Sequence, residues 1–401
     1  MRLFDPEEEN MIRLSAYSID EQRVPPEVVY CKRCVLSNQR PRTTFDEEGI
    51  CSACRFMEHH HAIDWSARHK ELEALCDKHR SGGKYDVIVP ASGGKDSSCI
   101  ATVLKHEFGM HPLCVKFAPF MYTDIGQKNW TALNMSGYDC IEFRPNGIIH
   151  RKLARIAFEY LGDAFQPFVF GQLAFPMHIA QQLGVDLVFG GENGEAFYGG
   201  DSSANDKRGW DPKDWDRIYL KNSGVQKLLD IGKKIGVISN TEYREASQFY
   251  RLPYADELPE YHWLSYYKHW KPQRNYYEAS EHCGFEPNPE RSEGTFSRYA
   301  SLDDKLDGEH YFMAYRKFGI GRATSDAAHE VRDGDRDREE AMVLVKRYDG
   351  ERPMKYHAEF LEYLGIDEEQ YLRVVDRFTN KRLFDGDVLR GDVISARDAA
   401  L

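Results

Sequence analysis

Residues 87–98, VIVPASGGKDSS, bring two serines, two glycines, a lysine and an aspartate into six consecutive positions, Ser92 to Ser97. Hydroxyls, backbone N–H groups and one cationic point charge together make a donor set for a phosphate. The glycines permit a tight turn and close backbone approach, and a helix beginning there directs free N–H groups at an anion. Ser92, Gly93, Gly94 and Ser97 are therefore the expected phosphate contacts. Lys95 either joins them or faces solvent, and Asp96 is the nearest acidic group, suited to magnesium or to holding the turn. The spacing is neither the G-x-x-x-x-G-K-[ST] of a Walker loop nor the G-x-G-x-x-G of a dinucleotide fold. A Ser/Gly-rich turn without a ligand is the plain alternative.

Four cysteines form a second constellation, Cys31-x-x-Cys34 and Cys51-x-x-Cys54, with sixteen residues between the pairs. Each pair presents two thiolates from one tight turn, and two pairs complete a tetrahedron around zinc. Four sulfur ligands leave no place for water, so such a site is structural and lends folding energy to a module too small for its own core. An iron–sulfur cluster accepts the same ligands. Cys76, Cys99, Cys114, Cys140 and Cys283 stand alone and read as buried thiols. His59, His60 and His61 read as a polar surface run.

Two more segments carry candidates. Glu192, Asn193 and Glu195 in GENGE directly follow the apolar trio Leu187-Val188-Phe189, at the ligand-facing end of an expected strand. If a helix begins there, Glu192 and Glu195 share a face and could organise magnesium or a reacting amide; a flexible turn is the alternative. In KFGIGRATSD, residues 317–326, Gly319 and Gly321 allow close approach, Lys317 and Arg322 could hold phosphate, and Asp326 could orient Arg322. Arg332 and Arg338 read equally well as surface charges.

The elements that must position these groups follow from periodicity. Val87-Ile88-Val89, Leu113–Phe117, Ile141-Glu142-Phe143 and Leu187-Val188-Phe189 read as strands, with helices at 148–161 and 173–183 between them. Ile100, Val103, Leu104 and Phe108 recur at helical spacing after the glycine turn. Alternation of this kind implies a parallel sheet covered on both faces. The expected organisation is an arm at 1–29, a cysteine module at 30–58, a helical linker at 59–84 and an α/β domain at 85–200. An aromatic-rich region for substrate or partner follows at 201–309, then a mainly helical region at 310–401 that completes the site. Asp367 and Gln370 form an expected capping box.

Over 401 residues the composition is 41% hydrophobic and 29% charged, with a formal charge of −12. That balance disfavours a broad grip on nucleic acid. No run is long and apolar enough for a membrane span, and the acidic start MRLFDPEEEN does not read as a secretion signal. A cytoplasmic enzyme is the default expectation.

SGGKDS resembles the pyrophosphate loop of the ATP pyrophosphatases, which split ATP between its α and β phosphates. A longer resemblance runs through CKRCVLSNQRPRTTFDEEGICSAC at 31–54, GENGEAFYGG at 191–200, YYKHWKPQRNYYEA at 266–279 and EGTFSRYASLDDKLDG at 293–308. It continues in KFGIGRATSDAAHEVRDG at 317–334 and REEAMVLVKRYDGERP at 338–353. Together these are similar to the N-acetyl sugar amidotransferases of surface-polysaccharide, O-antigen and nonulosonic-acid biosynthesis. The resemblance implies an ATP pyrophosphatase (PP-loop, HUP-like) α/β core that uses ATP, magnesium and a structural zinc ion. It implies conversion of an acetamido group on a nucleotide-activated sugar to an acetamidino group through an O-adenylated imidate. Ammonia would come from a separate glutaminase and synthase pair. Asp96, Glu192, Glu195 and Asp326 are then the catalytic candidates, Asp326 either orienting Arg322 or contacting ammonia, and Ser92, Gly93, Gly94, Lys95, Asp96, Ser97, Asn193, Lys317 and Arg322 the nucleotide contacts. Three other readings exist: thiolation of a tRNA base, for which Cys99 and Cys140 are the available thiols, another ATP-dependent amide- or amidine-forming reaction, and a noncatalytic zinc-bearing scaffold.

Overall fold

The computed structural model describes residues 24–80, 82–210, 224–246, 248–253 and 258–399. Most of the expected N-terminal arm, residues 1–23, lies outside them. Five strands form one sheet: β1 (Val87–Pro90), β2 (Pro112–Phe117), β3 (Asp139–Phe143), β4 (Leu187–Gly190) and β5 (Glu260–Trp263). All neighbours are parallel, in the order β3-β2-β1-β4-β5. Residue alternation along the strands feeds two cores. Ile88, Leu113, Val115 and Val188 face the helices Gly147–Leu161 and Gln166–Leu183. Val87, Val89, Cys114, Leu187 and Phe189 face the helices Lys95–Thr102, Asp124–Met135 and Pro272–Cys283. A covered parallel sheet with helices on both faces is the result.

Strands β1 to β4 lie where the apolar runs put them. The fifth does not: β5 pairs with β4 along Leu187–Gly190 from within the stretch read as a separate aromatic region. Its sequence, Glu-Tyr-His-Trp, lacks the β-branched signature, and its pairing is supplied by the exposed edge of β4 rather than by its own propensity. The second long helix also starts earlier than periodicity suggested, at Gln166, with Pro167 in its first turn, where proline's missing N–H costs nothing.

The cysteine module packs onto the helices Arg322–Asp333 and Arg338–Tyr348, sharing a core with Ile320, Ala327, Ala328, Met342 and Val345. Helices Asp307–Phe318, His357–Leu364 and Glu368–Phe378 close around Gly147–Leu161 through Phe158, Met313, Phe360 and Tyr371. Both bonds of the Asp367/Gln370 capping box are present. Among the described residues no helix is long and apolar enough to cross a membrane.

Three surface readings are corrected by packing. His60 is buried against Phe56, Trp65 and Phe197, because the helix Ser52–His61 turns that face onto the α/β core. Arg332 is buried and spans two parts of the chain, donating from Nη1 to Cys34 Sγ (3.7 Å) and from Nη2 to Phe197 O (2.8 Å). Arg338 donates to the carbonyls of Cys34 (3.1 Å) and Cys31 (3.0 Å). Both arginines brace the cysteine knuckles rather than water.

Candidate active site

In a 3-2-1-4-5 sheet the strand order reverses between β1 and β4, and the crevice beyond their carboxyl ends is where such sheets bind ligands. The chain places SGGKDS after β1 and GENGE after β4, on the two lips of that crevice. Gly93 sits at φ +85°, and a Cβ there would meet the backbone of Trp130 at 2.7 Å, so only glycine fits. The serine hydroxyls close the loop on itself: Gly94 N donates to Ser92 Oγ (3.2 Å) and Ser97 Oγ to Gly94 O (3.2 Å). The helix then begins at Lys95 with no side-chain cap, leaving its first N–H groups for a ligand. From below, the buried Lys116 of β2 donates Nζ to Ser92 O (3.0 Å), and burial pulls its pKa down. A lysine inside the apolar run LCVKF was the available sequence signal for it.

Facing both lips is a cavity of about 690 Å³. Lys95 and Asp96 enter it from the loop, pairing with each other through Nζ and Oδ2. Glu192 enters from the opposite lip and accepts a hydrogen bond from Tyr198 Oη (3.2 Å). Burial, reinforced by the nearby Asp96 charge, raises the Glu192 pKa. Asn275, on the helix Pro272–Cys283 that runs along the loop's own helix, donates Nδ2 to Asp96 Oδ1 (2.9 Å) and fixes its rotamer.

The far wall comes from the C-terminal region. Arg322 binds Asp326 through Nε and Oδ1 (3.0 Å) and touches Tyr311 Oη with Nη1. Asp326 Oδ2 accepts from Thr295 Oγ1 (2.7 Å). Ser297, Tyr299, His310, His329, Glu330 and Asp333 complete this side. Arg40, from the cysteine module, reaches the same cavity and lies over the Tyr198 ring, its buried Nε without a partner. Four cations line the cavity: Arg336 is paired with Glu330, while Arg40, Lys95 and Arg322 converge from three distant parts of the sequence beside Asp96 and Glu192. Such a mixed lining suits a polyanion carrying a metal ion.

Not every candidate reaches the cavity wall: of the loop only Lys95 and Asp96 line it, while Ser92, Gly93, Gly94 and Ser97 shape the turn behind them. Glu195 is buried and gripped by Arg42, Nε to Oε2 at 2.9 Å and Nη2 to Oε1 at 2.6 Å, and it also accepts from Asp201 N (2.6 Å). Burial works against its charge, yet the Arg42 fork outweighs that and lowers its pKa. Asn193 caps the short helix Gly194–Phe197, accepting from Glu195 N (3.2 Å), while its Nδ2 donates to Ala204 O (2.7 Å). Lys317 turns to Leu161 O at the C-terminal end of its helix, a favourable place for a cation, and burial lowers its pKa to about 8. Arg40, Lys116, Tyr198, Asn275, Tyr299 and Tyr311 are among the site residues that motif reading passed over. All but Lys116 lie in the quoted segments or just beside them, so the signal was there without a role attached.

The four cysteines bring their sulfur atoms within 4.8 Å of one another, at 3.8 Å for Cys31 to Cys54 and 3.7 Å for Cys34 to Cys51. Sulfur–metal bonds of about 2.3 Å give a tetrahedron with edges of about 3.8 Å, so the set fits a single zinc ion. A cluster, with each thiolate on a different iron, would spread them further. Backbone N–H groups of Arg33 (3.4 Å) and Cys51 (3.3 Å) point at Cys31 Sγ, as expected around an anionic sulfur. All four are buried, and no ligand position faces solvent.

Residues 293–393 match the family model described as LPS biosynthesis protein WbpG-like, C-terminal domain. That quarter of the chain supplies most of the cavity's far wall, including Tyr299, Tyr311, Arg322, Asp326 and His329. The match ties this part of the chain to a lipopolysaccharide-biosynthesis group. A second similarity, 31% identity over 86 residues, is to an uncharacterized protein of Methanocaldococcus jannaschii and covers 21% of this chain and 31% of that protein.

Proposed function

We propose that this chain is an ATP-dependent amidotransferase of the PP-loop type that turns an acetamido group of a nucleotide-activated sugar into an acetamidino group. The observation that carries the reading is the cavity itself. Its two lips are Lys95 and Asp96 of the SGGKDS loop and Glu192 at the sheet's switch point, and most of its far wall is the segment similar to the lipopolysaccharide-biosynthesis group. ATP is a substrate here. The loop N–H groups would bind its pyrophosphate portion, and Lys95, Arg322 and Arg40 would neutralise charge that spreads over the phosphates during transfer. Asp96 and Glu192 would hold a magnesium ion, which contributes further positive charge to the phosphate oxygens. The amide oxygen attacks the α-phosphorus, the bond to the bridging oxygen breaks, and pyrophosphate leaves. Ammonia adds to the resulting imidate carbon and loses a proton, and AMP departs with the former amide oxygen. Adenylation is required because an amide oxygen is otherwise a poor leaving group, and water has to be kept from the imidate carbon for the step to be productive.

Under this reading Asp326 positions Arg322, while Glu195 and Asn193 hold the turn that presents Glu192. Nitrogen would come as ammonia from a separate glutaminase and synthase pair, in the cytoplasm where nucleotide sugars are made. The two thiols needed for the tRNA-thiolation alternative are badly placed for it. Cys99 is buried beneath Asn275, and neither it nor Cys140 lines the cavity. The test is incubation with Mg-ATP, ammonium chloride and a panel of UDP- and CMP-linked acetamido sugars. AMP and a sugar lighter by about 1 Da, the mass change of replacing O with NH, are expected; AMP formed only with tRNA and a sulfur donor would overturn the assignment.

A further inference from the structure

The turn at 191–200 separates the main cavity from a second one. Glu192 and Tyr198 line the first, while Asn193 and Phe197 line a cavity of about 280 Å³ together with Phe56, His60 and Ser265. Exposed residues, His59, Ser202 and Asp206, stand at its outer edge. Between the two spaces lies a row of three rings. His60 is 1% exposed and His329 is 4% exposed, one lining each cavity, and the Phe197 ring contacts both at centroid distances of 5.3 and 5.7 Å. Neither nitrogen of His60 makes a well-formed hydrogen bond, the Ser265 backbone being its one weak neighbour, and Nε2 of His329 has only Asp333 Oδ2, at 3.6 Å. Buried polar atoms are normally satisfied, so unmet nitrogens on both sides of one phenyl ring call for a ligand.

We propose that this is the route by which ammonia enters the reaction cavity: held at His60 in the outer space, passed across Phe197, and received at His329. The inference rests on the amidine-forming reading above. The chemistry of the route suits its cargo. Burial holds both imidazoles neutral, with the Ser265 backbone pulling only weakly the other way at His60, so each offers a lone pair to an N–H donor. Arg332, fixed on Phe197 O, places a cation beside the crossing and discriminates against ammonium in favour of neutral ammonia. That same bond anchors the backbone of Phe197, which leaves ring rotation as the way the crossing opens. A closed phenyl ring also keeps water of the outer space away from the imidate.

The experiment uses the full chain with Mg-ATP, ammonium chloride and the acetamido nucleotide sugar that the panel identifies. His60→Phe keeps the ring and removes both unmet nitrogens, so folding is retained. Its KM for ammonium should rise about threefold to tenfold, the worth of one neutral hydrogen bond, while the KM values for ATP and sugar stay put. Phe197→Trp should raise the ammonium KM similarly, and Phe197→Ala should release AMP without a matching amount of amidine as water enters. An active wild type whose ammonium KM is unmoved by His60→Phe overturns the route alone, whatever the folding of the Phe197 variants. A wild type that forms no amidine from any acetamido sugar overturns the parent reading, and the route with it.

Discussion

Arg332 offers a quantitative test of how the metal module is tied to the site. Its guanidinium is buried between the sulfur of a metal-ligating cysteine and the carbonyl of Phe197, on the turn that presents Glu192. Four thiolates around a divalent ion carry net negative charge, so the bond to Cys34 is charge-assisted and the one to Phe197 is neutral. Arg332→Met keeps the alkyl stem and loses both. Charge-assisted and neutral bonds contribute about 1.5–3 and about 1 kcal/mol respectively, so a loss of about 3 kcal/mol is expected. Breaking a buried ionic partner gives the same order. In urea the unfolding midpoint should fall by roughly 1 M for a slope near 3 kcal/mol/M. Chelation supplies the decisive comparison. Once the metal leaves and the thiolates take up protons, Arg332 loses its anionic partner in the wild type, whereas the methionine variant has nothing left to lose there. Wild type should therefore lose about 2 kcal/mol more than the variant on metal removal, since the charge-assisted bond is the coupled part. Equal losses would refute the coupling, and an unchanged midpoint in Arg332→Met would refute the bridge itself.

Asp96→Asn and Glu192→Gln should each cut AMP formation by about 10²–10³, the scale of removing one aligned electrostatic group, with far-UV circular dichroism unchanged; retention of the wild-type rate would remove either from the metal site. Glu195→Gln should behave differently, lowering stability by about 1–3 kcal/mol through the lost Arg42 fork while kcat falls much less than in Glu192→Gln. A kcat loss as large as that of Glu192→Gln would make Glu195 part of the chemistry. Asp333 is buried and its pKa is pushed up to about 7, chiefly by desolvation. Its native form thus binds a proton more tightly than its unfolded form, so its contribution to stability is complete below about pH 4 and is lost as pH rises through 7. Asp333→Asn should flatten urea-measured stability across that window by a few kcal/mol at most, and an unaltered pH profile would count against the burial argument.

The sequence disclosed what local chemistry determines. Val87-Ile88-Val89 followed by SGGKDS fixes a buried strand, a glycine-only turn and a helix start within twelve residues. Two Cys-x-x-Cys pairs likewise announce four convergent sulfurs whatever surrounds them. What stayed hidden depends on partners far along the chain. Lys317 and Arg322 are five residues apart in one glycine-broken segment, yet one caps a distant helix and the other enters the cavity. The strand β5 is made by the edge of β4, and His60 is buried by the face its helix turns inward. Asn275 stands in one of the quoted segments without a role of its own, and acquires one because its helix lies against the loop that carries Asp96.

The braces between the cysteine module and the C-terminal helices join residues about 300 positions apart, 298 for Arg332 with Cys34 and 307 for Arg338 with Cys31. During synthesis the metal knuckles therefore emerge long before the arginines that clasp them. The cysteine module must wait while the whole α/β core is made, and the cavity gains its far wall only at the end. Contacts of such long sequence separation make folding slow and keep apolar surface such as Val35 and Leu36 uncovered meanwhile. Zinc limitation in a growing cell should accordingly reduce the yield of soluble protein before it reduces the activity of chains already complete.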